Sequence, residues 1–187
     1  MRRHKERILD EYLAASARSG DRKAFDHLAE RWQGKLYAHA CRLTGDQELA
    51  RDVVQEGWSD IAKGLSRLND TAAFPAWAYR IVTRRAADAI RTAQRTRRLT
   101  EAYAAEPKVQ SAGSESIETH TDGIPLRHAM ASLSPEQRAV VALFYREDFS
   151  VAEIAAALGV PAGTVKTRLM HARRKLRASL EGGTSDE

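Results

Sequence analysis

Residues 150–176 read SVAEIAAALGVPAGTVKTRLMHARRKL. Ser150 is placed to cap a short helix, VAEIAAAL, on which Ile154 and Leu158 share one apolar face. Gly159 suits a left-handed exit from that helix. VPAGT then leads into a second helix with Val165 and Leu169 on its inner side. The spacing of Ala155, Gly159 and Val165 matches a helix-turn-helix. A small residue lets the helices approach, a glycine makes the turn, and a valine packs the second helix onto the first. Between Ile154 and Leu180 there is no Asp or Glu, whereas Lys166, Arg168, Arg173, Arg174, Lys175 and Arg177 all occur there, with His171 among them. A merely solvated face usually mixes signs. A helix with charge of one sign suits the phosphate-lined major groove of a duplex.

Working outward, this motif closes a helical unit over residues 126–181. Its earlier part, SPEQRAVVALFYRED, offers Ser134 as a cap, Pro135 at the first helical position and Glu136 in the first turn. Before it, residues 99–125 are poor in large apolar side chains. They carry Glu101, Glu106, Glu115, Glu118 and Asp122 against Lys108, which reads as an acidic flexible linker.

Residues 1–98 are helical in pattern. Phe25, Leu28, Trp32, Leu36, Ala40 and Leu43 form one stripe, and Leu49, Val53, Ile61 and Leu65 another, with Asp46 as the cap between them. A third helix from Pro75 is expected to bury Trp77, Ile81, Val82 and Ala89. No sustained period-two run appears. The expectation is an all-α protein of two small helical domains joined by a linker, with a polar tail at 182–187.

Composition narrows the function classes. The chain has 187 residues, 43% hydrophobic and 29% charged, with a formal net charge of +5. An anionic partner fits that balance. Cys41 is the single cysteine, so no internal disulfide can form; it reads as a buried thiol. Cys41 with His39 makes too few ligands for a metal. No apolar run is long enough for a signal peptide or a membrane span, so a cytoplasmic location without membrane insertion is expected. There is no Gly-rich phosphate loop, no spaced Cys/His cluster and no Ser–His–Asp order, so neither a cofactor nor an enzyme is expected.

Two further clusters stand out. Arg80, Arg84, Arg85, Arg91, Arg95, Arg97 and Arg98 face Asp88 alone on the third helix, near Phe74, Trp77 and Tyr79. Arginines beside aromatics suit single-stranded nucleic acid, although Trp77 fits a core position equally well. Asp52, Gln55, Glu56 and Ser59 share a polar face opposite Val53 and Ile61. An acidic face on a basic chain suits a basic protein partner, but on spacing alone an ordinary solvated face is the better explanation.

Together these stretches resemble the bacterial RNA polymerase sigma factors of the extracytoplasmic-function (ECF) class. GDQELARDVVQEGW is similar to the family's polymerase-docking motif in its second region. FPAWAYRIVTRRAADAIR is similar to its promoter-melting helix, and residues 133–176 to its fourth region. The resemblance covers about residues 24–98 and 126–180. It implies docking on core RNA polymerase through Asp52, Gln55, Glu56 and Trp58, the last standing where Phe is usual. It implies minus-ten contacts by Asn69, Phe74, Trp77, Arg80, Arg84, Asp88 and Arg91. For the minus-thirty-five element it implies Ser150, Thr164, Lys166, Thr167, Arg168, Met170, His171, Arg173 and Arg174. Arg84 stands where Asn is frequent, and His171 where Arg is frequent, so a promoter consensus does not transfer. The implied partners are core polymerase, at its beta-prime clamp and beta flap, promoter DNA and an anti-sigma factor. Two alternatives stay open. A one-component helix-turn-helix regulator would usually carry an α/β sensor, whose strand pattern is absent. A helical protein-binding adaptor would have no use for an uninterrupted basic helix.

Overall fold

The computed structural model describes Arg2–Tyr103 and residues 129–182. The described residues are helical and contain no strand, as the patterns predict. The helices are α1 (Arg2–Arg18), α2 (Arg22–Thr44), α3 (Gln47–Gly64), α4 (Phe74–Tyr103), α5 (Pro135–Tyr145), α6 (Val151–Leu158) and α7 (Ala162–Gly182). They form two compact units, one built mainly from α1 to α4 as far as residue 94, the other mainly from the helices that follow residue 128.

In the first unit, local chemistry sets each boundary. Asp21 caps α2 by accepting hydrogen bonds from the amides of Lys23 and Ala24, and Asp46 caps α3 through those of Glu48 and Leu49. Gly45, at φ 71°, ends α2 in the left-handed region that glycine adopts freely. α2 packs on α1 and α3. Leu28, Trp32, Leu36, Val54, Ile61, Phe74, Tyr79 and Val82 are almost wholly buried. The Trp32 ring meets the Phe74 and Tyr79 rings edge-on at 5.4 and 5.7 Å, a favoured aromatic geometry.

The buried stripe of α4 differs from the expected one. Phe74, Ala78, Tyr79, Val82 and Ala86 face inward, whereas Trp77, Ile81 and Ala89 are half-buried. The inner face mixes the large Phe74 and Tyr79 with the small Ala78 and Ala86, and the two alanines let the α4 backbone come close to its neighbours. Gly57 belongs to the same fit. A Cβ there would lie 3.1 Å from Val82 Cγ2, so this helical glycine permits a close α3–α4 approach. A Cβ on Gly64 would lie 2.9 Å from Trp77 Cζ2, so Trp77 is seated over a glycine.

Helix α4 continues to Tyr103, past the expected linker boundary at residue 99, and residues 104–125 of that linker lie outside the described residues. In the second unit, Ser134 and Gln137 cap α5 reciprocally. The Ser134 hydroxyl accepts from the Gln137 amide, and the Gln137 side chain accepts from the Ser134 amide. Ser150 and Glu153 do the same for α6 at 3.2 and 2.7 Å. Leu133, Val141 and Ala172 form a core on which Met130 and Leu176 pack, so α5 lies against α7. Helix α7 reaches Gly182, one residue into the expected tail, whose remainder lies outside the described residues.

Candidate functional site

Helix α3 presents Asp52, Gln55, Glu56 and Ser59 together on its exposed side. Its inner side buries Ala50, Val53, Val54, Gly57 and Ile61. Trp58 does not join the exposed group. It is half-buried with its ring edge-on to Phe25 at 5.9 Å, and its indole N–H is buried without a hydrogen-bond partner. Its position on the helix turns it toward Phe25 of α2, away from the exposed polar group.

Arg85 of α4 lies beside this face. Its Nε and Nη2 donate to the two carboxylate oxygens of Asp60 at 2.6 and 2.7 Å, and its Nη1 donates to Glu56 at 3.0 Å. Asp60 therefore takes the forked geometry that a guanidinium matches best. The Asp60 hydrogen bonds are the main cause that raises the pKa of Arg85 above its ordinary value. The sequence placed Arg85 among the nucleic-acid arginines; the structure commits it to acids of α3 instead. Glu56 keeps most of its surface but already has an internal partner.

On α4, Arg80, Arg84, Arg91, Arg95, Arg97 and Arg98 are exposed, and Arg91 is ion-paired with Asp88. Phase along the helix puts Arg80, Arg84, Asp88 and Arg91 on one side, at steps of four, four and three. Phe74 requires correction as a strand contact: it is fully buried between Trp32 and Trp77. Tyr79 is likewise a core ring. Trp77 keeps part of its surface, and Asn69 is exposed in the loop before α4. Arg18, which no sequence pattern singles out, donates to the Leu68 and Asn69 carbonyls in that loop at 3.0 and 3.1 Å.

The second unit fits the expected helix-turn-helix. Gly159 has φ +66°, and the Val160 amide donates to the Ala155 carbonyl at 3.2 Å to close the turn. Ile154, Val165 and Leu169 are buried. Lys166, Thr167, Met170, Arg173 and Arg174 are exposed on α7, while Thr164, Arg168 and His171 are half-buried. The Thr167 hydroxyl donates back to the Gly163 carbonyl at 3.0 Å, and Arg174 Nη2 lies 3.3 Å from His171 Nδ1. Glu136 of α5, held below its ordinary pKa first by the Ser134 hydroxyl, also feels the charge of Arg168. Arg173 has a structural task. Its Nε donates to the Tyr145 hydroxyl at 2.9 Å, and its guanidinium sits 5.4 and 5.7 Å from the Phe144 and Tyr145 ring centres. It clamps α7 to α5 by hydrogen bonding and cation–π attraction. Ser150, exposed, has its hydroxyl engaged in the α6 cap.

Among the described residues, no cluster of His, Cys, Asp and Glu could hold a metal, and no helix is long and apolar enough to cross a membrane. Cys41 is half-buried rather than buried. A hydrogen bond between its thiol and the Tyr37 hydroxyl is the first cause that raises the phenol's pKa above the ordinary value.

Two family models match the chain: sigma-70 region 2 over residues 28–96, and sigma-70 region 4 over residues 124–176. The ECF RNA polymerase sigma factor SigM of Mycobacterium tuberculosis (strain H37Rv) is 34% identical over 173 residues, spanning 91% of this chain and 84% of SigM. The solved structure of CnrH in complex with the cytosolic domain of CnrY superposes with a TM-score of 0.63 at 27% identity, covering 93% of this chain and 98% of CnrH. The sigma factor RpoE of Bartonella quintana, solved with the anti-sigma factor NepR, shares the fold at a TM-score of 0.67 and 22% identity, over 88% of this chain and 99% of RpoE. With both regions in order along one chain and a relative matched over most of its length, the chain belongs to the sigma-70 family as an ECF sigma factor, which binds RNA polymerase and directs promoter-specific transcription initiation.

Proposed function

We propose that the two units divide promoter recognition between them. α7 of residues 126–181 enters the major groove at the minus-thirty-five element. α4 and the Asn69 loop of residues 1–98 hold the melted minus-ten strand. The observation that carries this reading is the exposed side of α7, free of acids as far as Leu180, on a helix-turn-helix whose inner side is apolar. Lys166, Thr167, Met170, His171 and Arg174 lie nearest the bases, with Arg168 toward the phosphates; Thr164 and Ser150 flank the groove. Arg80, Arg84 and Arg91, with Asp88 orienting Arg91, meet the separated strand, and the exposed part of Trp77 offers a stacking surface. Phosphate contacts supply affinity, and base contacts supply selectivity.

Core polymerase docks on Asp52, Gln55 and Glu56. An acidic, amide-bearing face on a basic chain is complementary to a basic partner surface. We assign this contact to the beta-prime clamp and the second unit to the beta flap. CnrH was solved with the cytosolic domain of a second protein, which supports a protein regulator of the anti-sigma kind acting in the cytoplasm. The chain contributes binding and no chemistry of its own. The test is reconstitution with purified core polymerase. Co-elution with core, followed by retention of promoter DNA and run-off transcription, is the expected result. Duplex binding without polymerase would indicate a one-component regulator, and no DNA binding in either state an adaptor.

A further inference from the structure

We propose that Arg18, on the first helix, is a positioning residue for promoter melting. Its guanidinium sets the backbone that aims Asn69 at the separated strand. The inference rests on the reading of the Asn69 loop as strand-holding, and deepens it.

The geometry is specific. Arg18 Nη1 donates to the Leu68 carbonyl at 3.0 Å and to the Asn69 carbonyl at 3.1 Å, across 50 and 51 residues of chain. These carbonyls belong to the two peptide planes that flank the Asn69 Cα. Fixing both planes fixes φ and ψ at Asn69, and hence the direction of its Cα–Cβ bond. The neighbouring turns are closed locally. The Leu68 amide bonds the Leu65 carbonyl at 3.1 Å, and the Asp70 carboxylate caps the turn at Thr71–Ala73 through the Ala72 amide at 3.0 Å. Asn69 is therefore the joint between two closed turns, and Arg18 spans that joint. Helix α1 packs on both turns, so the guanidinium is presented from a rigid element. α1 precedes residues 28–96, over which the region 2 model matches.

The bond serves position more than stability. Arg18 and Asn69 are exposed, so water would satisfy either carbonyl if Arg18 were lost. What water cannot do is hold two successive planes in one orientation. A binding side chain gains from being held in its productive geometry by a neighbouring group.

The experiment uses holoenzyme reconstituted from core polymerase and the full chain, as wild type, Arg18→Met, Arg18→Lys and Asn69→Ala. Methionine keeps an apolar stem without donors; lysine restores a donor. Three quantities are read: the rate of promoter opening by permanganate reactivity, the discrimination among minus-ten variants, and core affinity with the thermal midpoint. Arg18→Met is expected to slow opening by about threefold to tenfold and to weaken minus-ten discrimination, with core affinity and midpoint near wild type. Arg18→Lys should recover part of both, and Asn69→Ala should lose discrimination. If Asn69→Ala is impaired while Arg18→Met opens and discriminates as wild type does, the role of Arg18 is refuted and the loop reading stands. If neither variant changes opening or discrimination, the loop reading falls and the proposal with it. If Arg18→Met lowers core affinity or the midpoint as much as it lowers opening, Arg18 is general support of the fold and the proposal is overturned.

Discussion

His39 should make the first unit lose stability in mild acid. Its side chain is wholly buried between α2 and α4. The Nε2 atom lies 2.9 Å from the Thr83 hydroxyl, the ring meets Tyr79 edge-on at 4.9 Å, and Nδ1 has no hydrogen-bond partner. A charge in that site would be poorly solvated, and the nearby Arg42 cation opposes it. Burial first, and Arg42 second, lower the pKa from 6.5 to about 3. The unfolded chain therefore takes up a proton near its ordinary pKa that the folded chain refuses until far lower. Stability from neutral His39 is complete above the unfolded value and declines as pH falls toward the folded one. The linkage between those limits is about 2 kcal/mol by about pH 5. The assay is urea unfolding at about pH 7.5 and about pH 5, on wild type and His39→Gln. Glutamine can still bond Thr83 but does not titrate, so the difference in pH dependence removes the common contribution of the carboxylates. Trp32, Trp58 and Trp77 are the chain's three tryptophans and all lie in the first unit, so indole fluorescence follows that unit alone. Wild type should lose about 2 kcal/mol more than His39→Gln over this range. Equal losses would refute a buried neutral His39.

Two further outcomes follow from α3. Asp52→Ala with Glu56→Ala should weaken core polymerase binding by about tenfold or more with an unchanged circular dichroism spectrum, because Asp60 still holds Arg85 when Glu56 is gone; unchanged affinity in native gels would contradict the docking assignment. Gly57→Val should cost about 2 kcal/mol in urea unfolding, since its branches overpack Val82, and Val82→Ala in the same chain should return part of that loss; independent, additive effects would show that the two helices do not meet there.

The helix-turn-helix was fully legible because its determinants are local. Ser150, Gly159 and Val165 fall within one short stretch of sequence, in which the cap, the turn and the inward valine are each visible. The same holds for the Asp46 and Ser134 caps. Long-range fits were not legible. Gly57 is unfavourable in a helix by local propensity, and nothing near it in sequence shows that Val82, 25 positions on, needs its space. The inner face of α4 is set by which of its residues meet the other helices, Phe74, Ala78, Tyr79, Val82 and Ala86, and the apolar pattern of Trp77, Ile81 and Ala89 along the chain does not reveal that. Arg85 was grouped with the nucleic-acid arginines because charge runs do not reveal which cation has an acid opposite it on another helix. Phe74 and Trp58 stand at contact positions by motif, yet Phe74 is buried and Trp58 packs on Phe25, while Arg173 is exposed and also holds Tyr145; a motif records position along the chain and not the direction of a side chain. Arg18 carried no signal at all, since its partners are backbone carbonyls that look alike in any sequence.

In the proposed division of promoter recognition, α7 reads the upstream element and α4 the downstream one, each independently. Its most direct test is selection from promoters randomised at both elements, using holoenzyme made with wild type and with His171→Arg. An arginine at 171 could make a bidentate contact to guanine, with about 1–3 kcal/mol of discrimination. The expected result is a changed upstream element, richer in guanine at one position, with the downstream element as in wild type. Selection of the same upstream element, or a change confined to the downstream one, would contradict the placement of α7 in the groove.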